Sequence, residues 1–179
     1  MYYGTHYQSP VGEIYLAGDE EHIVGLWIGS QKYRTKTMPE GIVENPDARS
    51  LQRGIQWLDA YFAGNNPECS RLSLAPAGGE FKQVVWQILT EIPYGQTMTY
   101  GEVAKEAARR MGRKTMSAQA VGGAVGHNPI SIMIPCHRVV GSNGSLTGYA
   151  GGIDKKISLL THEGVDMTKL FVPKKGTAL

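Results

Sequence analysis

Apolar and polar positions alternate along the first third of the chain. Tyr3, Thr5 and Tyr7 lead into Ser9-Pro10-Val11-Gly12, followed by Ile14 and Leu16, then Gly18-Asp19, then Ile23–Ile28. Short runs rich in β-branched and aromatic residues between turn formers predict antiparallel strands. Residues 30–46 are polar and read as loop. Asn45-Pro46-Asp47 reads as a helix start, with Leu51, Ile55, Leu58 and Phe62 at helical spacing and Gly64 as the stop. A short strand near Leu72–Leu74 would complete a small α+β unit. Ala75-Pro76-Ala77-Gly78-Gly79 is the linker candidate.

Beyond it the period becomes helical. Phe81, Val84, Val85, Ile88, Leu89 and Ile92 trace one face, closed by Pro93-Tyr94-Gly95. Thr99-Tyr100-Gly101-Glu102 is a capping box that opens a helix through about Arg110. A basic turn with Arg113 and Lys114 then leads to Ser117, the cap of a second helix ending near Gly126. Two short helices joined by a turn resemble a helix-turn-helix. Gly122 and Gly123 inside the second helix cost about 1 kcal/mol each relative to alanine. Such glycines fit where another backbone comes close, either a partner helix or a DNA strand.

Charge sharpens the division. Residues 1–78 hold six Lys/Arg against nine Asp/Glu, while residues 79–179 hold twelve against seven. A basic half suits a polyanionic partner. With 179 residues the chain can build one large domain or two small ones. The start MYYGTHYQSPVG lacks a basic stretch followed by an apolar run, so no standard signal peptide is expected, and no segment is long enough to span a membrane. The two cysteines, Cys69 and Cys136, read as reduced thiols of a cytoplasmic protein.

The chemistry concentrates after residue 127. The strand-like run Ile130-Ser131-Ile132-Met133-Ile134 ends in Pro135-Cys136-His137-Arg138-Val139-Val140. A cysteine in an apolar stretch is ordinarily an inert thiol. Here His137 and Arg138 follow at once and can stabilise the thiolate, which is the nucleophilic form. Turn formers crowd both flanks: His127-Asn128-Pro129 before, Gly141-Ser142-Asn143-Gly144 after. Ile153, Ile157 and Leu160 trace a last helix with Glu163 near its end, a poor position for an unpaired carboxylate. A Cys136–His137–Glu163 relay would give it a partner. Spacing alone does not bring these side chains together.

Pro135-Cys136-His137-Arg138-Val139, with Gly148-Tyr149-Ala150-Gly151-Gly152 and His162-Glu163-Gly164 behind it, resembles the signature of the O6-alkylguanine-DNA alkyltransferases, most closely their bacterial non-inducible Ogt type. The similarity runs almost continuously from Gly79 to Val165 and more loosely before it. It implies an α/β (α+β) protein. A ribonuclease-H-like N-terminal domain at 1–75 and a linker at 76–79 would precede a mostly helical, winged helix-turn-helix-like catalytic domain at 80–166, with a tail at 167–179. The implied activity is that of a methylated-DNA–protein-cysteine S-methyltransferase. The partner would be double-stranded DNA containing O6-alkylguanine, with O4-alkylthymine a further possible substrate. No cofactor, metal or membrane would be involved, and a monomer would suffice.

Carried over by residue, the resemblance makes Cys136 the alkyl acceptor in an SN2 step. His137 would be its base through a water, oriented by Glu163. Asn128 would brace the turn, Tyr100 would crowd the target phosphate and hydrogen-bond the guanine, and Val139, Tyr149 and Ala150 would line the pocket. Arg138 would be structural. The target carbon is stacked inside the duplex, so the nucleotide must be flipped out. The small-sided second helix, with Ser117, Ala120, Gly122 and Gly123, would enter the minor groove.

One position departs from the family. Gln119 stands where an arginine ordinarily fills the gap left by the flipped base, and glutamine lacks its charge and planar stacking surface. The long basic turn would compensate through phosphates, using Arg109, Arg110, Arg113 and Lys114. Two rival classes remain on the residues alone: a damage sensor that binds without transferring, which Cys136 argues against, and a thiol hydrolase using Cys136 and His137.

Overall fold

The computed structural model describes residues 1–32 and 34–174, which form two units. The first comprises Met1–Ala77 together with Pro129–Met133; the second holds Gly78–Asn128 and the chain from Ile134 onward.

In the first unit β1 (Tyr3–Ser9), β2 (Gly12–Gly18) and β3 (Ile23–Ile28) pair antiparallel, and β4 (Val43–Glu44) adds in parallel beside β1. The sheet order is β3-β2-β1-β4. The β1–β2 turn is built as its residues dictate. Gly12 takes φ +106°, and the Ser9 hydroxyl accepts from Val11 N–H while donating to the Gly12 carbonyl. One helix, α2 (Arg49–Phe62), covers the sheet with Leu51, Trp57, Leu58 and Tyr61 buried. It comes so close that a Cβ on Gly54 would lie 2.8 Å from Leu16 Cδ2.

Three local expectations are corrected. Residues 30–46 are not all loop, since they contain α1 (Arg34–Thr37) and β4. The covering helix begins at Arg49, with Ala48 as an uncapped N-cap, because Asn45 spends its side chain on the Asp47 N–H in a preceding turn. Near residue 74 there is a single parallel bridge from Leu74 to Ile23 rather than a strand.

The run 130–134 is not a strand either. Ile130 bridges to Leu26, whose N–H and carbonyl bond Pro129 and Ser131. The chain then turns at Ile132, which has φ +70°, and closes with Met133 N–H on Ser131 O. A β-branched residue in this region costs about 1–2 kcal/mol, and Ile132 is held there while fully buried. The apolar run that reads as a strand is a buried double turn.

The second unit packs α3 (Glu80–Thr90), α4 (Tyr100–Arg110) and α5 (Ala118–Gly126) through Val85, Ile88, Leu89, Val103, Ala107, Val121 and Val125. Trp86 Nε1 donates to Ala124 O at 2.9 Å, fastening α3 to α5. The α4–turn–α5 pair is the helix-turn-helix read from the sequence. Its caps form as expected: Glu102 N–H donates to Thr99 Oγ1 at 3.1 Å, Glu102 Oε2 accepts from Thr99 N–H at 2.7 Å, and Ser117 Oγ accepts from Ala120 N–H at 3.2 Å. A parallel pair, β5 (Met98–Thr99) with β6 (Val139–Val140), fixes the start of α4 beside residues 139–140. Behind it, α6 (Ile153–His162) buries Leu160 against Val140 and Leu146, with Ile153, Ile157 and Val165 packed around. Among the described residues, no helix is long and apolar enough to cross a membrane. Of the expected tail, Lys174 is exposed and Lys175 lies outside the described residues.

Replacing Thr99 by alanine removes one half of the capping box and is expected to destabilise the fold by about 1 kcal/mol. Urea unfolding checks this, and an unchanged midpoint would mean that the β5–β6 pair alone fixes the start of α4.

Candidate active site

Cys136, His137 and Arg138 form one turn of 3-10 helix, closed by Arg138 N–H on Pro135 O at 3.0 Å. The turn is entered through a compact bend, Cys136 N–H to Ile134 O at 2.8 Å, and Ile134 O also accepts from Asn128 Nδ2 at 2.8 Å. Asn128 is buried, so this bond satisfies a polar group that would otherwise be costly. It also holds the approach to Cys136 fixed. All three residues of the turn are buried.

Glu163 arrives from the other side as the C-cap of α6. Gly164 N–H bonds Thr161 O and Val165 N–H bonds Leu160 O, the Schellman pattern, with Gly164 at φ +75°. That closure turns the Glu163 side chain loose from its own helix and into the 3-10 turn. His137 Nε2 lies 2.7 Å from Glu163 Oε1. Arg138 grips the same carboxylate twice, Nε to Oε2 and Nη2 to Oε1, both at 2.9 Å. Its remaining nitrogen, Nη1, donates to Ile92 O at 2.7 Å, and the guanidinium lies 5.7 Å from the Tyr94 ring centroid.

These contacts settle charge and tautomer. Burial pushes the Glu163 carboxyl upward, but the hydrogen bonds from His137 and Arg138 outweigh it and hold the group well below the ordinary carboxylate range. An ionised carboxylate only accepts, so Nε2 of His137 carries the proton. Burial depresses the His137 pKa, with Glu163 opposing, so the ring is neutral at rest. Its lone pair is then on Nδ1, which is buried and has no hydrogen-bond partner among the described residues. A neutral imidazole with a free Nδ1 lone pair is a general base.

Lys156 was not legible in the sequence, where it is one of two adjacent lysines in a helix. It is fully buried. Its ammonium donates to Val139 O at 2.5 Å and Thr147 O at 3.0 Å, tying together the two ends of the segment that follows the 3-10 turn. Burial lowers its pKa to about 8, while the nearby Cys136 charge opposes the fall. The only available sequence signal was its helical phase: Lys156 lies three residues after Ile153 and four before Leu160, on the buried side.

Tyr100 is also buried, and its hydroxyl donates to Thr147 O at 3.1 Å. Burial, reinforced by the neighbouring Cys136, raises its pKa and keeps the phenol protonated. Val139 and Tyr149 are buried on the same segment and Ala150 is half-buried. A Cβ on Gly151 would come within 2.9 Å of Tyr149 Cε1, so the ring lies against bare backbone.

The helix-turn-helix residues present a separate, exposed surface. Ser117, Gln119, Ala120 and Gly123 are exposed on α5 or its cap, and Gly122 is buried. A Cβ at Gly123 would meet nothing within 4 Å, so helix packing does not explain that glycine. In the basic turn Arg109 and Arg110, expected to reach phosphates, are engaged in ion pairs. Arg109 binds Glu106 through two hydrogen bonds, at 2.6 and 3.0 Å, and Arg110 binds both Glu91 and Glu106. The Cys69 thiol donates to Met133 O at 3.1 Å. Among the described residues no cluster of three His, Cys, Asp or Glu could hold a metal ion.

A buried cysteine beside a neutral, carboxylate-oriented histidine, on a domain with an exposed helix-turn-helix, defines a thiol-nucleophile protein built on a DNA-binding type of fold. Comparison with known proteins makes the class specific. Residues 80–165 match the family described as 6-O-methylguanine DNA methyltransferase, DNA binding domain, and residues 1–76 match its ribonuclease-like domain. The chain is 45% identical over 166 residues to a methylated-DNA–protein-cysteine methyltransferase of Methanosarcina acetivorans, covering 92% of this chain and 99% of that one. It superposes on the Mycobacterium tuberculosis OGT solved in complex with DNA with TM-score 0.77 at 40% identity, covering 90% and 91% of the two chains. For the O6-methylguanine DNA methyltransferase of Methanococcus jannaschii the TM-score is 0.63 at 30% identity, covering 96% and 99%. The chain belongs to the methylated-DNA–protein-cysteine methyltransferase family.

Glu163→Gln leaves Arg138 buried without its counter-charge and is expected to cost about 3–5 kcal/mol near neutral pH. The folded-state pKa of Glu163 lies below its unfolded value, so its stabilisation is present above the ordinary carboxylate range and lost as pH falls beneath it. The gap in unfolding free energy between wild type and variant should therefore narrow from about pH 6 to about pH 3. A constant gap would show that Glu163 is not held ionised.

Proposed function

We propose that this chain repairs alkylated guanine in DNA by direct reversal, taking the alkyl group onto Cys136. The observation that carries this is the fixed tautomer of His137, with Nε2–H committed to Glu163 and the Nδ1 lone pair left as base. The Cys136 thiol gives its proton to Nδ1, directly or through one water. The thiolate sulfur then forms a bond to the alkyl carbon as the carbon–O6 bond breaks, and the guanine leaves with the electron pair and takes up a proton. The thioether has no leaving group that this site could activate, so each molecule acts once.

The charge balance supports the step. Arg138 neutralises Glu163 and His137 is neutral, which leaves the Lys156 ammonium as the buried positive charge beside Cys136. A thiolate formed there has a counter-charge in a medium of low dielectric. Tyr100 remains protonated. Its hydroxyl, now on Thr147 O, supplies a donor for the departing guanine oxygen if it exchanges partners.

DNA is the partner, and the target base leaves the stack to reach a buried thiol. The outer face of α5, with Ala120 and Gly123, allows close approach to a sugar-phosphate backbone in the minor groove. Gln119, exposed on the same helix, would fill the gap in the duplex. Val139, Tyr149 and Ala150 form the base pocket. Two cysteines in the thiol form suit a reducing compartment, and we assign the protein to the cytoplasm.

Incubation with an oligonucleotide containing O6-methylguanine should add a single methyl group to the intact protein, mapped to Cys136 and absent from Cys136→Ala. Binding without any mass gain would instead make the chain a sensor of the lesion. For α5, Gly123→Ala should stabilise the free protein by about 1 kcal/mol, because the helix gains and no neighbour is struck, while weakening binding to duplex DNA. Stabilisation with undiminished DNA affinity would remove this face from the interface.

A further inference from the structure

The four cations of the α4–α5 turn do not share one fate. Arg109 and Arg110 are spent on Glu106 and Glu91, two carboxylates against two guanidiniums, and this cluster presents no net charge. Arg113 and Lys114 are exposed and enter no ion pair among the described residues. The backbone that carries them is nevertheless fixed. Gly112 takes φ +65°, its N–H bonds Arg109 O, and Arg113 N–H bonds Ala108 O at 2.8 Å, a Schellman closure of α4. Arg113 and Lys114, together with Lys105, Arg109 and Arg110, line a hollow of about 870 Å³ that none of Cys136, His137, Val139, Tyr149 or Glu163 shares.

Apart from half-buried Met116, residues 112–120 are continuously exposed, so the two free cations lie on one strip with Gln119 and Ala120. Lys105 also enters no ion pair among the described residues, but it stands on α4 outside that strip. We infer that Arg113 and Lys114 are the phosphate clamp of this chain, binding the DNA backbone next to the α5 footprint, while Arg109 and Arg110 brace α4 and touch no phosphate. The inference rests on the DNA-repair reading and adds the residues that hold the strand. A phosphate contact displaces condensed counterions, and each one contributes about 0.9 to the slope of log K against log salt on B-form DNA. An arginine already neutralised by a carboxylate contributes little. A clamp on a rigid turn would also give this chain an electrostatic hold that its neutral Gln119 does not supply.

The test is the salt dependence of binding to an unmodified duplex, measured by fluorescence anisotropy on the full chain, with folding of each variant checked by thermal unfolding. Unmodified DNA keeps chemistry out of the readout. The R113A/K114A double variant should lower the slope by about two. Wild type would then lose about tenfold more affinity than the variant between 50 and 200 mM salt. R109Q should leave the slope at the wild-type value. An unchanged slope in the double variant, or an equal loss in R109Q, overturns the assignment. So does a wild type that does not bind the duplex. Methyl transfer to Cys136 by the wild type, followed by mass, tests the underlying reading separately. Transfer with an unchanged slope sinks only the clamp, and binding without transfer sinks only the repair reading.

Discussion

The carboxylate of Glu163 is ionised inside the protein, and much of the second unit is arranged around that fact. An ion of this kind out of water costs several kcal/mol unless it is paired and hydrogen-bonded. Its two oxygens take three hydrogen bonds from His137 and Arg138. For that to happen, α6 must stop where Glu163 can leave the helix, and the turn after Pro135 must present two consecutive side chains to one point. Arg138 carries the constraint further by donating to Ile92 O just beyond α3. Three segments distant in sequence are thus held together by one charge, and the same charge fixes the histidine tautomer.

A second buried ion, Lys156, has no carboxylate of its own. It rests on two carbonyls, of Val139 and Thr147, and Thr147 O also takes the Tyr100 hydroxyl. The segment from 139 to 150 is therefore held by groups from α6 and from the start of α4. An ammonium in this setting is poorly compensated, which is why its pKa falls. The nearby Cys136 opposes that fall.

The outer surface follows the opposite logic. On α5 the exposed residues are small, and Gly123 gives up helix stability with nothing beside it to explain the loss. The neighbouring turn ends α4 in a well-formed closure, yet Arg113 and Lys114 enter no ion pair among the described residues. Local sacrifice of this kind is ordinary at binding surfaces, where the missing partner is another molecule.

Periodicity and cap chemistry are local properties, and they were legible in the residues. The three antiparallel strands, the faces of α3 and α4, the Thr99–Glu102 box and the Ser117 cap are all written within a few residues of where they form. The Cys136 motif and the placement of Glu163 beside a helix stop were legible for the same reason. What the residues could not convey was set by contacts between distant segments. The run 130–134 has the composition of a strand, but burial and a left-handed Ile132 make it a turn. Arg110 looks like a free cation until Glu91, from the end of another helix, binds its guanidinium. Lys156 looks like a solvated lysine until α6 is packed and its phase turns it inward. Sequence determined the principal helices and strands and the Cys136 motif, because those depend on neighbours along the chain; tertiary structure decided the remaining turns, the protonation states and the pairing of charges, because those depend on what is close in space.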